Sequence, residues 1–505
     1  MVKVVLKWGT KNIEAELDQS LPVIKFQEIV YSLTRVPIAS QKIIFKGTLF
    51  KPETDLSKLK LQEGSVITLM GAAEENEIKE IKEEKKFYEE MTPEERALIY
   101  KEKTGEILPA GLANMGNTCY MNSSIQCLKR INELKNFLQN RQIPAGQGAQ
   151  GLVGIALQRL FRDLDKKGEA VKPIHFIQSF MTAFPQFAEK EQGSIAFKQQ
   201  DADECFQNVI QCIEPQTNYE DELGNKTNLI KDIFEIEFEV KQTNNDNIQE
   251  VSVKSERSKK LMCTIDNQSN PVNQLTEGIE VSLQGTVQKN GQDGLLHDFT
   301  ETRRIKKLPS YLAIQMMRFF WKQKSESSRT EATKSKILRS VAFPKILDVT
   351  PYCTQDLQAA IEKGKDYEKR QQEQANKNTE EKFAEYKRKL ESEGKMIPED
   401  TKALYKQFKE VQKEEDIKQH DENLYRPHGQ GLDNGTYELV AVLTHQGRSA
   451  DSGHYVGWAH KSGDVWQRFD DDVVTEVSID EILDLRGGGD RHMAYYLIYR
   501  KLEIL

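Results

Sequence analysis

The side chains best suited to covalent chemistry stand far apart in this sequence. Cys119 lies in GLANMGNTCYMNSSIQ (111–126), His454 in SADSGHYVGWAH (449–460), and Asp470, Asp471 and Asp472 run together in WQRFDDDVV (466–474). A thiol attacks as its thiolate, and a free cysteine titrates near about 8.5, so a nucleophilic cysteine needs surroundings that favour its anion. Met121, Ile125 and Leu128 repeat at helical spacing behind Cys119. That spacing puts the thiol at a helix N-terminus, where the helix dipole favours negative charge. Gly116, Asn117 and Thr118 offer a tight turn with backbone N–H groups, and the amide of Asn114 can donate to a developing oxyanion. Taken alone, Cys119 reads equally well as a small apolar residue opening a core helix, which is how Cys127 reads.

A cysteine nucleophile needs a base. Gly453 lets the backbone approach closely beside His454, and HYVGW alternates as a strand, which fixes the direction of the imidazole. A carboxylate from the run at 470–472 can accept from the second ring nitrogen and hold the tautomer. His445, ending the preceding strand in LTHQGR, is the rival base. Asn117 and Asn122 carry only turn and helix-surface readings.

These residues must be positioned by an α+β domain with helices first and sheet later. Helices are expected over 119–139, 152–164 and 201–213, and strands in IFEIEFEV, LPSYLAIQMMRFF, YELVAVLTH, HYVGWAH and AYYLIYR. Ahead of that domain, VKVVLKW and IEAELD read as a hairpin, Phe26, Ile29, Val30 and Leu33 fall at helical spacing, and QKIIFKG and SVITLMG complete a β-β-α-β-β order. The expected division is 1–72, a charged and partly helical linker over 73–105, and a second domain over 106–505. Half the positions of 361–420 are charged, so that stretch is expected to be an insertion of solvated helix or disorder without a core of its own.

The N-terminal order resembles the ubiquitin-like β-grasp fold. Residues 111–126 resemble the cysteine box of the ubiquitin-specific proteases, GHYVGW with WQRFDD resembles their histidine box, and QQDADEC (199–205) resembles a further box near the substrate tail. The resemblance implies a papain-like thumb and palm with β-fingers that grip ubiquitin and feed its C-terminal tail between cysteine and histidine. By matching positions it implies Cys119 as nucleophile, His454 as general base and then acid, Asp470 as its orienter, and Asn114 as oxyanion donor. Asp471 would assist polarisation or the oxyanion, and Asp201 and Glu204 would face the basic ubiquitin tail. Asp201 and Glu204 also suit the start of the helix at 201–213, where carboxylates cap.

The N-terminal domain, the stretch 321–337 and the loop 446–453 are similar to those of the proteasome-associated member of the family. That similarity implies docking on the 26S proteasome regulatory particle through the ubiquitin-like domain, and loops that cover the cleft until docking. The expected activity is thiol-dependent hydrolysis of isopeptide bonds at the ubiquitin C-terminal glycine. The alternatives are a noncatalytic scaffold that binds ubiquitin and the proteasome, and the same chemistry on another modifier.

Composition narrows partners and compartment. A net charge of −8 leaves no basic excess for nucleic acid, and no run of apolar residues is long enough for a membrane span. Six cysteines are too sparse for a disulfide framework, which points to the cytoplasm or nucleus. No C-x-x-C pair is present, so neither a metal nor another cofactor is expected, and the fingers are expected to hold by packing alone. The free protein is expected to be a monomer.

Overall fold

A computed structural model describes residues 1–71, 93–141, 148–166, 170–191, 193, 196–221, 224–265, 271–322, 333–392, 402, 404–409, 433–449 and 452–502. They divide into two compact units, Met1–Glu90 and Met91–Leu505.

In the first unit β1 (Val2–Trp8), β2 (Lys11–Leu17), α1 (Val23–Thr34), β3 (Lys42–Phe45), β4 (Thr48–Leu49) and β5 (Ser65–Met70) follow in order. They form a sheet β2-β1-β5-β3-β4 in which β1 and β5 run parallel. Alternation turns Val4 and Leu6 of β1 inward, where they meet Ile67 and Leu69 of β5 and Val23, Phe26 and Val30 of α1. The inward face of α1 differs from the expected one. Phe26 and Val30 are buried, but Ile29 and Leu33 are 37% and 44% exposed, and Val23 and Thr34 take the inward positions instead.

The second unit opens with helices α2 (Pro93–Thr104), α3 (Cys119–Lys129), α4 (Asn132–Asn140), α5 (Gly148–Leu164), α6 (Ile174–Ala183) and α7 (Ala202–Ile213). A short hairpin, β6 (Asn218–Glu220) and β7 (Lys226–Asn228), and α8 (Leu229–Phe234) lead into the strands. β8 (Ile236–Asn244), β9 (Val251–Ser258), β10 (Leu261–Thr264), α9 (Leu275–Ser282), β11 (Gln284–Asn290), β12 (Leu296–Lys307), β13 (Tyr311–Met317), β14 (Phe319–Lys322), β15 (Thr333–Lys336) and β16 (Ile346–Asp348) come next. α10 (Gln355–Ser392) precedes β17 (Thr436–Ser449), β18 (Ser452–Ser462), β19 (Val465–Asp470), β20 (Val473–Ser478) and β21 (Met493–Lys501). Among the described residues the main sheet runs β10-β13-β21-β17-β18-β19-β20, with β15 and β16 also paired to β17. A separate antiparallel sheet runs β11-β12-β8-β9. One core lies between α3, α5, α6, α7 and one face of the main sheet, and a second covers the opposite face around Trp466 and Tyr437.

Several expectations need correction. The helix expected over 119–139 breaks between α3 and α4, because Ile131 takes an extended conformation (φ −78°, ψ 97°) that buries it completely. Within the stretch expected as linker, residues 72–92 lie outside the described residues, but α2 is tied to the sheet. The Tyr100 hydroxyl donates to Glu476 at 2.7 Å, and Lys461 bonds to both. Of the insertion, 361–392 continues α10, and 393–401, 403 and 410–420 lie outside the described residues. Even so, Leu404 and Phe408 are buried, and Phe408 packs on Phe383 and Tyr386, so a small aromatic core forms where charge argued against one.

The four-stranded sheet also holds by more than packing. At its tip the His297 ring lies between Asp246 (Nδ1, 2.7 Å) in the β8–β9 turn and Asp293 (Nε2, 2.8 Å) in the β11–β12 turn. The bond to Asp246, then that to Asp293, raises the His297 pKa. The clasp therefore holds while His297 is protonated and weakens as pH rises through that raised value. His297→Gln is expected to speed amide exchange at 244–250 and 291–295 without speeding it in α3, as exchange read by mass spectrometry would check. Among the described residues no helix is long and apolar enough to cross a membrane.

Candidate active site

α3 begins at Cys119 itself, and every side chain from Cys119 to Leu128 is buried. A helix with four polar residues in that run survives burial because its hydroxyls bond back to its own carbonyls. Ser123 donates to the Cys119 carbonyl (2.8 Å) and Ser124 to that of Tyr120 (2.7 Å). Gly457 lets β18 lie against the helix, since a Cβ there would stand 3.1 Å from the Ser123 carbonyl oxygen.

The sheet brings His454 to this helix start. β18 and β19 pair antiparallel, and His454 Nε2 bonds to Asp470 Oδ1 at 2.6 Å. Arg468, on the same face of β19 as Asp470, bonds its other oxygen. The hydrogen bond to Asp470, then that to Cys119, raises the His454 pKa to about 10 against the opposing effect of burial. Burial alone would raise the Asp470 carboxyl, but the His454 hydrogen bond and the Arg468 charge hold it below its usual value. An imidazolium oriented by a carboxylate therefore faces the thiol at neutral pH. A helix start is worth about 0.3–1 kcal/mol to a neighbouring anion, and the His454 hydrogen bond reaches the same sulfur.

The loop before Cys119 is stitched to the Asp470–Asp472 turn. Asn114 Oδ1 accepts from the N–H groups of Gly116 (3.0 Å) and Thr118 (3.2 Å), and its Nδ2 donates to Asp471 Oδ2 (2.9 Å). Asn122 Nδ2 donates to Asp471 Oδ1 (2.8 Å) and to the Leu112 carbonyl (3.2 Å). The helix-surface reading of Asn122 is thus overturned: it is 2% exposed, because it faces a carboxylate from another element. Asp471 sits in the left-handed region (φ 53°), and burial raises its pKa against the bonds from Asn122 and Asn114. Asn122→Ala is expected to cost about 1–3 kcal/mol by leaving part of that carboxylate without a donor. A urea melt of the two proteins measures it.

Asn117 keeps its turn reading, with φ at 53°, and its amide also bridges to Glu191 and the Phe197 carbonyl. Asp201 caps α7 by accepting from Asp203 N (2.9 Å) and accepts from the Tyr495 hydroxyl (2.7 Å), while Glu204 is exposed one turn on. His445 is fully buried and bonds to Lys336, away from the His454–Asp470 bond. Reading from sequence missed Asn122, Arg468 and Gln199, whose Oε1 lies 3.9 Å from the Cys119 sulfur. Arg468 had a signal, two residues from Asp470 on one strand; Asn122 and Gln199 had none beyond their neighbours.

Ligand atoms of His454, Asp470 and Asp471 lie within 4.8 Å of one another, the one group among the described residues close enough to hold a metal ion. All three already hydrogen bond as described, so a metal bound there would replace the bonds that orient His454.

Residues 110–499 match the ubiquitin carboxyl-terminal hydrolase family and residues 2–74 the ubiquitin family. Ubiquitin carboxyl-terminal hydrolase 6 of Arabidopsis thaliana is 34% identical across 99% of both chains. Ubiquitin carboxyl-terminal hydrolase 14 of Caenorhabditis elegans is 31% identical over 98% of this chain and 92% of its own. Ubiquitin carboxyl-terminal hydrolase 6 of Schizosaccharomyces pombe is 28% identical over the full length of both. With its cysteine at a helix start and a ubiquitin-like domain ahead of it, the chain belongs to the ubiquitin carboxyl-terminal hydrolase family and is a cysteine-type deubiquitinase.

Proposed function

We propose that the protein removes ubiquitin from conjugates held at the 26S proteasome, with Cys119, His454 and Asp470 as its catalytic residues. The observation that carries the chemistry is the His454 ring, bonded through Nε2 to Asp470 at 2.6 Å and hydrogen bonded to Cys119 as well. The Cys119 thiolate attacks the carbonyl carbon of the ubiquitin C-terminal glycine. Asn114 then donates its remaining amide N–H to the oxyanion, and Asp471 holds that amide in place. Because Nε2 is bonded to Asp470, Nδ1 is the nitrogen that passes its proton to the leaving lysine amine as the C–N bond breaks. Water then loses a proton to Nδ1 and attacks the thioester, and the C–S bond breaks to restore the thiolate. His454 thus acts first as acid and then as base, the reverse of the order read from sequence. Asp201 and Glu204 supply negative charge at the start of α7 for the basic ubiquitin tail.

The His454 value sets the alkaline limit of activity. The active pair needs His454 protonated, so kcat/KM on a ubiquitin–fluorophore is expected to persist at pH 9 and to fall through about 10. A fall centred near 7 would contradict the assignment.

The proteasomal part rests on end-to-end similarity to relatives that share both domains. The ubiquitin-like unit docks on the regulatory particle, and the stretches 321–337 and 446–453 restrain the free enzyme until it does. Of those stretches, 323–332 and 450–451 lie outside the described residues. The protein works in the cytoplasm and nucleus, with the proteasome, and is a monomer when free. Adding purified proteasome to the isolated enzyme should speed hydrolysis, and deleting residues 1–72 should remove that gain. Equal rates with and without proteasome would sink this reading.

A further inference from the structure

His445, the rival base from the sequence, lies on β17 directly opposite Tyr455, one residue past His454 on β18. Its ring packs on Tyr455 with centroids 4.6 Å apart. Its Nε2 also lies 2.7 Å from where a Cβ on Gly453 would stand. One imidazole therefore touches the residues on both sides of His454. That ring is itself held from behind, since Lys336 Nζ donates to the His445 carbonyl at 2.7 Å and to His445 Nδ1 at 2.8 Å. Lys336 is 8% exposed and His445 0%, so neither is a surface contact. Phe319, paired with Lys336 across β14 and β15, closes the ring's remaining side at 5.5 Å.

We propose that Lys336 and His445 are a positioning pair for His454: the lysine amine fixes the His445 ring, and the ring fixes the backbone on both sides of the catalytic imidazole. The pair rests on the reading of Cys119, His454 and Asp470 given above and adds to it the residues that aim the histidine.

The electrostatics permit such a contact. Burial, reinforced by the Lys336 charge, lowers His445 to about 3, so its ring is neutral and Nδ1 can accept. Burial and the neighbouring Arg318 lower Lys336 to about 7. The other charged or titratable groups acting on the pair are His492 and His454. Arg318 donates to the carbonyls of Ala494, Ile337, Arg339 and Arg486, whereas Lys336 donates to His445. Among the described residues no carboxylate pairs with this buried lysine, which is costly, and its two donated bonds both end on His445.

The test uses the full chain with Lys336→Met and His445→Gln, read by kcat, KM and the pH profile on a ubiquitin–fluorophore, with Cys119→Ala as control. Misplacing a catalytic group by an ångström costs roughly 10²-fold. Both variants are expected to lose roughly 10- to 100-fold in kcat with KM little changed. Their alkaline limb is expected to move below the wild-type value, because His454 loses geometry with Asp470 and Cys119. A purely structural role would lower the number of active sites, counted by titration with a ubiquitin electrophile, and leave kcat per site and the pH profile alone. That outcome overturns the proposal. If Lys336→Met does not fold, the same readings from His445→Gln decide it. If Cys119→Ala keeps wild-type turnover, the active-site reading itself fails. If Cys119→Ala is dead while both variants keep the wild-type kcat and profile, only the positioning pair fails.

Discussion

Cys119→Ala is expected to reduce hydrolysis of ubiquitin conjugates by roughly 10⁴-fold or more while leaving ubiquitin binding in place. In the proposed reaction the thiol forms the covalent bond to substrate, and removing a covalent nucleophile cannot be offset by its partners. Binding should survive because the change deletes one sulfur from a helix whose hold on the fold lies elsewhere, in Tyr120, Met121, Ile125 and Leu128, all fully buried. Steady-state turnover and equilibrium binding of ubiquitin, measured on the same preparation, separate the two effects. Retained turnover would move the chemistry off Cys119, and lost binding would mean that the variant had disturbed the cleft.

Gly111→Ala carries the second large effect, and no functional group is removed. A Cβ at this position would stand 2.5 Å from the Asp472 carbonyl oxygen, 2.6 Å from its carbon and 2.7 Å from the Asp471 carbonyl oxygen. Those atoms are backbone and cannot rotate away as a side chain could. The segment cannot retreat either, because Gly111 O accepts from Val171 N (2.9 Å), Leu112 N donates to Asp471 O (2.8 Å) and Ala113 N donates to Val171 O (2.9 Å). The clash must therefore push the 470–472 turn, and with it the carboxylate that orients His454. Overpacking of this kind costs about 1–3 kcal/mol of stability, whereas the displacement should cost roughly 10²-fold in kcat. The expected result is a folded protein with near-normal KM and a collapsed kcat. Kinetics alongside a thermal melt checks it, and an unchanged kcat would mean that the turn is not the part that sets His454.

Much of this was legible in the sequence, for reasons that differ residue by residue. Cys119, His454 and Asp470 stood out because few residue types can attack, shuttle a proton or orient an imidazole, and the structure brings their side chains together. The sheet was legible where β-branched and aromatic residues cluster, as in β17, β18 and β21. Polar residues that work while buried were not. Asn122 reads as helix surface until the 470–472 turn arrives from about 350 positions away to meet it. Lys336 reads as a solvated charge in a Lys- and Ser-rich stretch, and only the tertiary pairing of β15 with β17 buries it. Local pattern also failed at Ile131, where one apolar residue gained more from burial than from continuing a helix. The clasp at His297 was invisible because it joins two turns whose sequences, read separately, are ordinary polar loops.

In the proposed reaction one thiol, that of Cys119, carries the chemistry with His454 as its partner at a helix start. Ubiquitin bearing an electrophile in place of its C-terminal carboxylate, followed by peptide mapping of the adduct, tests this most directly. A single adduct is expected on Cys119 in the wild-type chain, none in Cys119→Ala, and slowed labelling in His454→Ala. An adduct on Cys127 or Cys205, or undiminished labelling of Cys119→Ala, would contradict it.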